Sequence, residues 1–307
     1  MELVVTIIGF GNIGKTIGSL LIQYKKAQLH INVIDAKEAV KGAIWDLQHG
    51  SQLDAKQRWY FNNQALFQSS DFIFHCAGAS VPKGKNRGVT RQASGRITEQ
   101  VFAKYKPTKE PFIIVVANPV EIVTYITQKV TQLPKERIVG TGTMLDSARL
   151  NHEIQQEDSS FTEAHAVILG EHGTEAFVSE YWSRINDVSI SKELSPENQE
   201  RHLNKVKQSA ERIKLLQRHT KYGVSYCALK IFEALQSKKA VRYPVSTFLP
   251  RSFMEKLDCG SITLSLYSEI SERGVYPVLK YQPKEKEFTL LKIAADDIQR
   301  NIPRRFR

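Results

Sequence analysis

The amino-acid sequence predicts a mixed α/β chain: a doubly wound, parallel sheet first, followed by an α+β unit. Two patterns predict this. Through the first half, short β-branched apolar runs alternate with helix-length segments, as βαβ units require. Beyond Gly142 the pattern changes to brief strand-like runs, one long polar helix and paired runs that read as hairpins. No linker-like stretch marks the change, so the halves, 1–142 and 143–307, are expected to pack together.

Leu3 to Ile8 is a continuous apolar run, which suits a strand buried on both faces. Asn12 to Leu21 has helical spacing, His30 to Ile34 is a second strand and Ala39 to Gln48 a second helix. Asp71 to Cys76, Phe112 to Ala117 and the pair Ile138-Val139 read as further strands. In the second half, a helix runs from about Leu145 to Gln156, and strands are expected at Ala166 to Leu169 and Ile185 to Ile190. A long helix follows Ser195, with Pro196 in its first turn. Another spans about Val224 to Leu235. Ile262 to Tyr267 and Val275 to Tyr281 read as antiparallel partners around Glu272-Arg273-Gly274. The last helix ends near Ile302, before Pro303.

Of the 307 residues, 41% are hydrophobic and 24% charged, which excludes a disordered tail, a coiled coil and a collagen-like chain. The longest apolar runs are strand-sized, so no membrane span is expected. Lys and Arg number 43 against 32 Asp and Glu, a net charge of +11. That balance first brings nucleic acid to mind. The basic residues are mixed with acids through most of the chain, however, and read as a solvated surface, so no nucleic-acid partner is expected. One stretch differs: Ser80 to Arg96 holds Lys83, Lys85, Arg87, Arg91 and Arg96 with no acid, and a small anionic ligand fits there as well as nucleic acid does. Three cysteines without a CxxC spacing give neither a disulfide framework nor a structural zinc site. No metal is expected. With no leader-like segment at the start, the cytoplasm is the expected compartment.

Gly9-Phe10-Gly11-Asn12-Ile13-Gly14 is a G-x-G-x-x-G placed between a strand and a helix, the context the motif requires. Gly9 permits the tight turn, Gly11 lets backbone approach a pyrophosphate, and Gly14 lets helix and strand pack closely. The helix N-terminus, Asn12 and Ile13, offers free N–H groups to phosphates. Asp35 ends the second strand, where a carboxylate accepts hydrogen bonds from ribose hydroxyls and repels a 2′-phosphate. The first half is therefore expected to be a Rossmann-type unit that prefers NAD to NADP, a preference that Lys37 weakens slightly.

Four further segments complete a pattern: Gly84 to Arg87, Asn118-Pro119-Val120, Leu145-Asp146-Ser147-Ala148-Arg149 and Gly170-Glu171-His172-Gly173. With the glycine fingerprint and Trp45 to Gly50, in this order, the chain resembles the L-lactate/malate dehydrogenase family. The likeness covers nearly the whole length and is strongest to about residue 180. It implies an NAD-dependent 2-hydroxy acid dehydrogenase that is a homodimer or homotetramer. By that resemblance His172 is the proton donor, Asp146 its carboxylate partner, and Arg87 the arginine of a closing loop that polarises the keto oxygen. Arg149 grips the substrate carboxylate, Asn118 contacts substrate oxygen and cofactor, Thr220 lies near the substrate side chain and Val224 against the nicotinamide. Residue chemistry agrees. Histidine titrates in the range that proton delivery needs, and a guanidinium fork suits a carboxylate. Taken singly, each of these residues has a plainer reading, such as a helix salt pair for Asp146 and Arg149.

The chain also departs from the family. Val81 stands where the family reads the far end of the substrate, usually with glutamine for lactate and arginine for malate. Valine cannot bond a second carboxylate, so pyruvate/L-lactate comes first. Oxaloacetate through Lys83 or Lys85, a branched 2-keto acid, and an idle NAD-binding homologue are the alternatives. Thr174 replaces a usual acid. Asn151 replaces an arginine of the sugar-bisphosphate site that some relatives carry, although His165 matches that site's other half, so activation is expected to be weak or absent. No G-x-S-x-G is present, which removes a hydrolase with a serine nucleophile elbow.

Overall fold

A computed structural model describes residues 1–53, 57–79, 87–278 and 280–307, with the side chains of residues 87–89 outside that description. The first half runs β1 (Glu2–Ile8), α1 (Asn12–Ile22), β2 (Gln28–Ile34), α2 (Val40–Ser51), β3 (Arg58–Phe61), α3 (Gln64–Gln68), β4 (Phe72–His75), α4 (Arg87–Lys104), β5 (Phe112–Val115), α5 (Val120–Thr131) and β6 (Ile138–Gly140). The second half runs α6 (Met144–Glu157), β7 (Ala164–His165), β8 (Ile168–Leu169), β9 (Phe177–Val178), β10 (Arg184–Ile185), β11 (Val188–Ser189), α7 (Ile190–Glu193), α8 (Pro196–Gln217), α9 (Tyr222–Ala234), β12 (Val241–Phe248), α10 (Arg251–Leu257), β13 (Thr263–Ser271), β14 (Gly274–Pro277) and α11 (Glu285–Asn301).

Nine strands form one sheet in the order β14-β13-β12-β6-β5-β4-β1-β2-β3. The six from the first half are mutually parallel, and the strand order reverses between β1 and β4. The carboxyl ends at such a reversal open a crevice, the usual ligand position in a doubly wound sheet. Successive residues of the central strands enter different cores. Val5, Ile7, Phe74 and Ile114 pack with α1, α2 and α9, whereas Ile8, Ile73, Ile113 and Val115 pack with α4, α5 and α11. Burial on both faces is why these strands read as continuous apolar runs. A third core, around Leu150, Ile154, Ile168 and Val206, joins α6 to α8. Among the described residues no helix is long and apolar enough to cross a membrane.

The expected division at Gly142 falls in the turn between β6 and α6, and the sheet continues past it. β12 joins β6 antiparallel through Ser246 and Gly140, and β13 and β14 follow as the expected hairpin. β12 was not among the expected elements; it contains Pro244. The strand meets β6 only at Ser246, which leaves most of that margin free of a ladder and tolerant of proline. The single strand expected over Ile185 to Ile190 is instead the hairpin β10–β11. Asn186 and Asp187 both take positive φ, 48° and 64°, the backbone of a two-residue hairpin turn.

Candidate active site

The nucleotide corner forms from one short stretch of chain. Gly9 has φ +85°, and a Cβ there would lie 2.7 Å from the backbone of Ala77. At Gly14 a Cβ would lie 2.2 Å from the Gly9 carbonyl oxygen, so helix and turn meet without room for a side chain. A Cβ at Gly11 would meet nothing within 4 Å, and Gly11 caps α1 without a side-chain hydrogen bond. The first N–H groups of α1 are thus open to an anion. Asp35 does two things. Its Oδ2 accepts the Phe10 N–H at 2.7 Å and its Oδ1 the Lys37 N–H at 2.9 Å, which closes the glycine turn. It also lines a cleft of about 760 Å³ with Gly9, Gly11, Lys37 and Asn62. Open backbone at Gly11, bare helix N–H groups and a carboxylate at the far end fit the pyrophosphate and adenosine ribose of NAD.

The catalytic corner is assembled from distant segments. The α6 N-terminus carries Asp146, which is buried, and Arg149 one turn on. Helix and loop are tied together: Ser147 Oγ accepts the Ile168 N–H and Thr143 Oγ1 donates to the Ile168 carbonyl. After β8 the chain turns at Gly170, φ +97°, which exchanges backbone hydrogen bonds with Ser265 of β13. His172 follows, its Nδ1 2.6 Å from Asp146 Oδ2, while Arg149 Nη1 donates to Asp146 Oδ1 at 3.1 Å. The Asp146 charge, reinforced by this hydrogen bond, outweighs desolvation and raises His172 to about 9. Burial pushes Asp146 upward, but His172 and Arg149 together hold it below the usual carboxylate range. The imidazole is therefore held protonated at neutral pH, with Nδ1 committed to Asp146.

The remaining expected residues distribute as follows. Asn118 is exposed just beyond β5, and its carbonyl accepts the Ser94 hydroxyl at 2.9 Å. Val224 and Thr220 lie at and just before the start of α9. That end of α9 spans both corners. Gly223 packs on Leu145, and Ser225 Oγ donates to the Ile13 carbonyl at 3.4 Å. Arg87 opens α4, but its side chain is outside the described residues, as are all of Val81, Lys83 and Lys85. The two positions matched to a bisphosphate site are internally engaged: Asn151 Oδ1 accepts the Ala166 N–H and His165 Nε2 is 2.9 Å from the Tyr267 hydroxyl.

Sequence reasoning missed Glu121. Its Oε1 accepts the His172 N–H at 3.1 Å and the Ser265 hydroxyl at 2.8 Å, and its carbonyl accepts the Thr263 hydroxyl at 2.6 Å. It therefore pins the histidine loop to α5 and β13 at once. Burial raises it, partly opposed by His172. The signal was present: Glu121 is the one acid in the wholly buried stretch from Val120 to Thr127. Glu171, beside the histidine, is also buried, and desolvation with the neighbouring Glu121 and Asp297 charges lifts it to about 7.

Residues 3–140 match the family model described as lactate/malate dehydrogenase, NAD binding domain. Over nearly the whole chain the sequence is similar to L-lactate dehydrogenase B chains. That of Homo sapiens is 28% identical, with 97% of this chain and 92% of the human one covered. That of Xenopus laevis is also 28% identical, with 96% and 90% covered. The fold is that of a lactate dehydrogenase from a Medee basin deep-sea metagenome, at a TM-score of 0.87 and 24% identity over 98% of both chains. It is equally that of the malate dehydrogenase from Aeropyrum pernix, at a TM-score of 0.88 and 24% identity over 99% of both.

Proposed function

We propose that the chain is a member of the L-lactate/malate dehydrogenase family, NAD-dependent oxidoreductases acting on CH–OH groups, as the match of residues 3–140 and the likeness to L-lactate dehydrogenase B chains support, and that it interconverts a monocarboxylic 2-keto acid and its L-2-hydroxy acid, pyruvate and L-lactate first. The observation that carries the reading is the Arg149–Asp146–His172 constellation, with one carboxylate bonded to both cations at 3.1 and 2.6 Å. The nicotinamide supplies or accepts the hydride. This chain's residues do the rest. Arg149 spends one N–H on Asp146 and keeps the others for the substrate carboxylate, a bidentate geometry that the guanidinium plane favours. His172 holds its proton at Nε2 for the oxygen that becomes the hydroxyl, and Asp146 stabilises the charged ring and fixes its orientation. Arg87, by the family resemblance, adds charge at the keto oxygen. Asn118 and Val224 orient the cofactor, and Thr220 faces the substrate side chain.

Val81 decides the substrate class. A second carboxylate against valine loses hydration with no partner, at a cost of several kcal/mol. An ion pair between a solvent-exposed lysine and a carboxylate typically returns only ~0–1 kcal/mol. Lys83 and Lys85 are the observation that favours oxaloacetate instead. The test is a panel of 2-keto acids with NADH, followed at the nicotinamide absorbance. We expect pyruvate or a branched monocarboxylate to have the highest kcat/KM, and Val81→Arg to raise oxaloacetate reduction sharply. A wild-type preference for oxaloacetate over every monocarboxylate would overturn the assignment and make Lys83 or Lys85 a substrate ligand.

A further inference from the structure

The acid-free stretch singled out in the sequence ends on α4, and there two of its arginines meet a second basic group. Arg91 and Arg96 of α4 line a cleft of about 450 Å³ with Arg300 at the end of α11 and with Arg304, Arg305 and Arg307 beyond it. Among the described residues no Asp or Glu lines this cleft. Among the described residues only Arg305 of the six is in direct ion-pair contact with a carboxylate, Glu99, while Arg91 also feels the charge of the buried Glu171, which does not line the cleft. Arg300 and Arg307 donate to backbone carbonyls, which carry no net charge. Arg91 is held by the Asn301 amide oxygen, and its Nε is buried without any hydrogen-bond partner. A buried guanidinium donor left unmatched is uncommon, because desolvation without a partner is unfavourable.

We propose that this cleft binds a small polyanion carrying two or more phosphate or carboxylate groups. Guanidinium forks match both groups bidentately, and six of them converge here from two separate parts of the chain. The shape selects a small ligand over nucleic acid. The cleft is concave and within the ~300–1,000 Å³ range of small-molecule sites, whereas a duplex needs an extended basic stripe. The occupant joins the C-terminal segment to α4, the helix that begins at Arg87. The site is separate from the cleft of the glycine turn and independent of the substrate reading.

Calorimetric titration of the full chain with inorganic pyrophosphate, and separately with citrate, tests this against sodium chloride at matched ionic strength. We expect one-to-one binding of at least one probe, and which one binds distinguishes a phosphate from a carboxylate ligand. The double variant Arg300→Gln/Arg304→Gln should weaken it about tenfold or more, as loss of charge-assisted hydrogen bonds does, with NADH affinity unchanged. Arg96→Gln, an exposed single change on α4, should weaken the same binding if the double variant does not fold. Three results overturn the proposal: no binding of either probe above the chloride control, equal binding by variants and wild type, or a short DNA duplex that binds more tightly than both probes and displaces them.

Discussion

The nucleotide corner and the catalytic corner are built by opposite means. Gly9, Gly11, Gly14 and Asp35 come from one β-α-β stretch, and their work is done by backbone: a turn with positive φ, a close carbonyl, bare N–H groups and a carboxylate that closes the turn. His172, Asp146 and Arg149 come from a loop and a helix more than one element apart. His172 is held in turn by Glu121, itself bonded to Ser265, both remote again. A corner made by local backbone geometry writes itself into a short motif. A corner made by side chains converging from four elements does not.

The contrast predicts separable damage. The largest effect belongs to His172→Gln. Turnover should fall roughly 10²-fold or more with the loss of general acid–base catalysis, while NADH affinity, measured by fluorescence titration, stays at the wild-type value. A near-normal rate would place the proton donor elsewhere. Gly14→Ala is the counterpart in the other corner. Its Cβ would lie 2.2 Å from the Gly9 carbonyl, so helix and turn must separate. We expect a loss of about 1–3 kcal/mol in urea unfolding, as for overpacking, together with weaker NADH binding. Unchanged stability would mean that the turn relaxes freely. Asp35→Ser should have the smallest effect: the ratio of NAD to NADP affinity narrows as the carboxylate that disfavours a 2′-phosphate is lost. A wild type that prefers NADP would remove the ribose role altogether and leave Asp35 as the residue that closes the turn on Phe10.

The same contrast explains what was legible. Five of the six parallel strands were readable because burial on both faces makes them continuous apolar runs, whereas the edge strand β3, with only Trp59 buried, was missed; the glycine motif was readable because its neighbours along the chain are its neighbours in space. The β10–β11 turn was written in Asn186-Asp187 but obscured by the β-branched residues around it. β12, which the sequence reading left unassigned, tolerates Pro244 because so little of β6 lies beside it. Glu121 looked like an ordinary first-turn acid, which favours a helix N-terminus anywhere. Only the arrival of His172 and Ser265 makes it the anchor of the histidine loop. In the catalytic corner, residue types and resemblance named the candidates, and their convergence needed the fold.

The central claim is that Asp146 and His172 act as one proton-holding pair. The measurement that tests it most directly is the pH dependence of kcat/KM for pyruvate reduction in wild type and in Asp146→Asn. Reduction needs the protonated ring, and Asp146 raises His172 from 6.5 to about 9, with Glu121 adding to the rise and desolvation and Arg149 opposing it. Activity should therefore hold at neutral pH and decline as pH rises through about 9 in wild type. In Asp146→Asn the decline should move down toward 6.5. A decline at the same pH in both proteins would contradict the pairing.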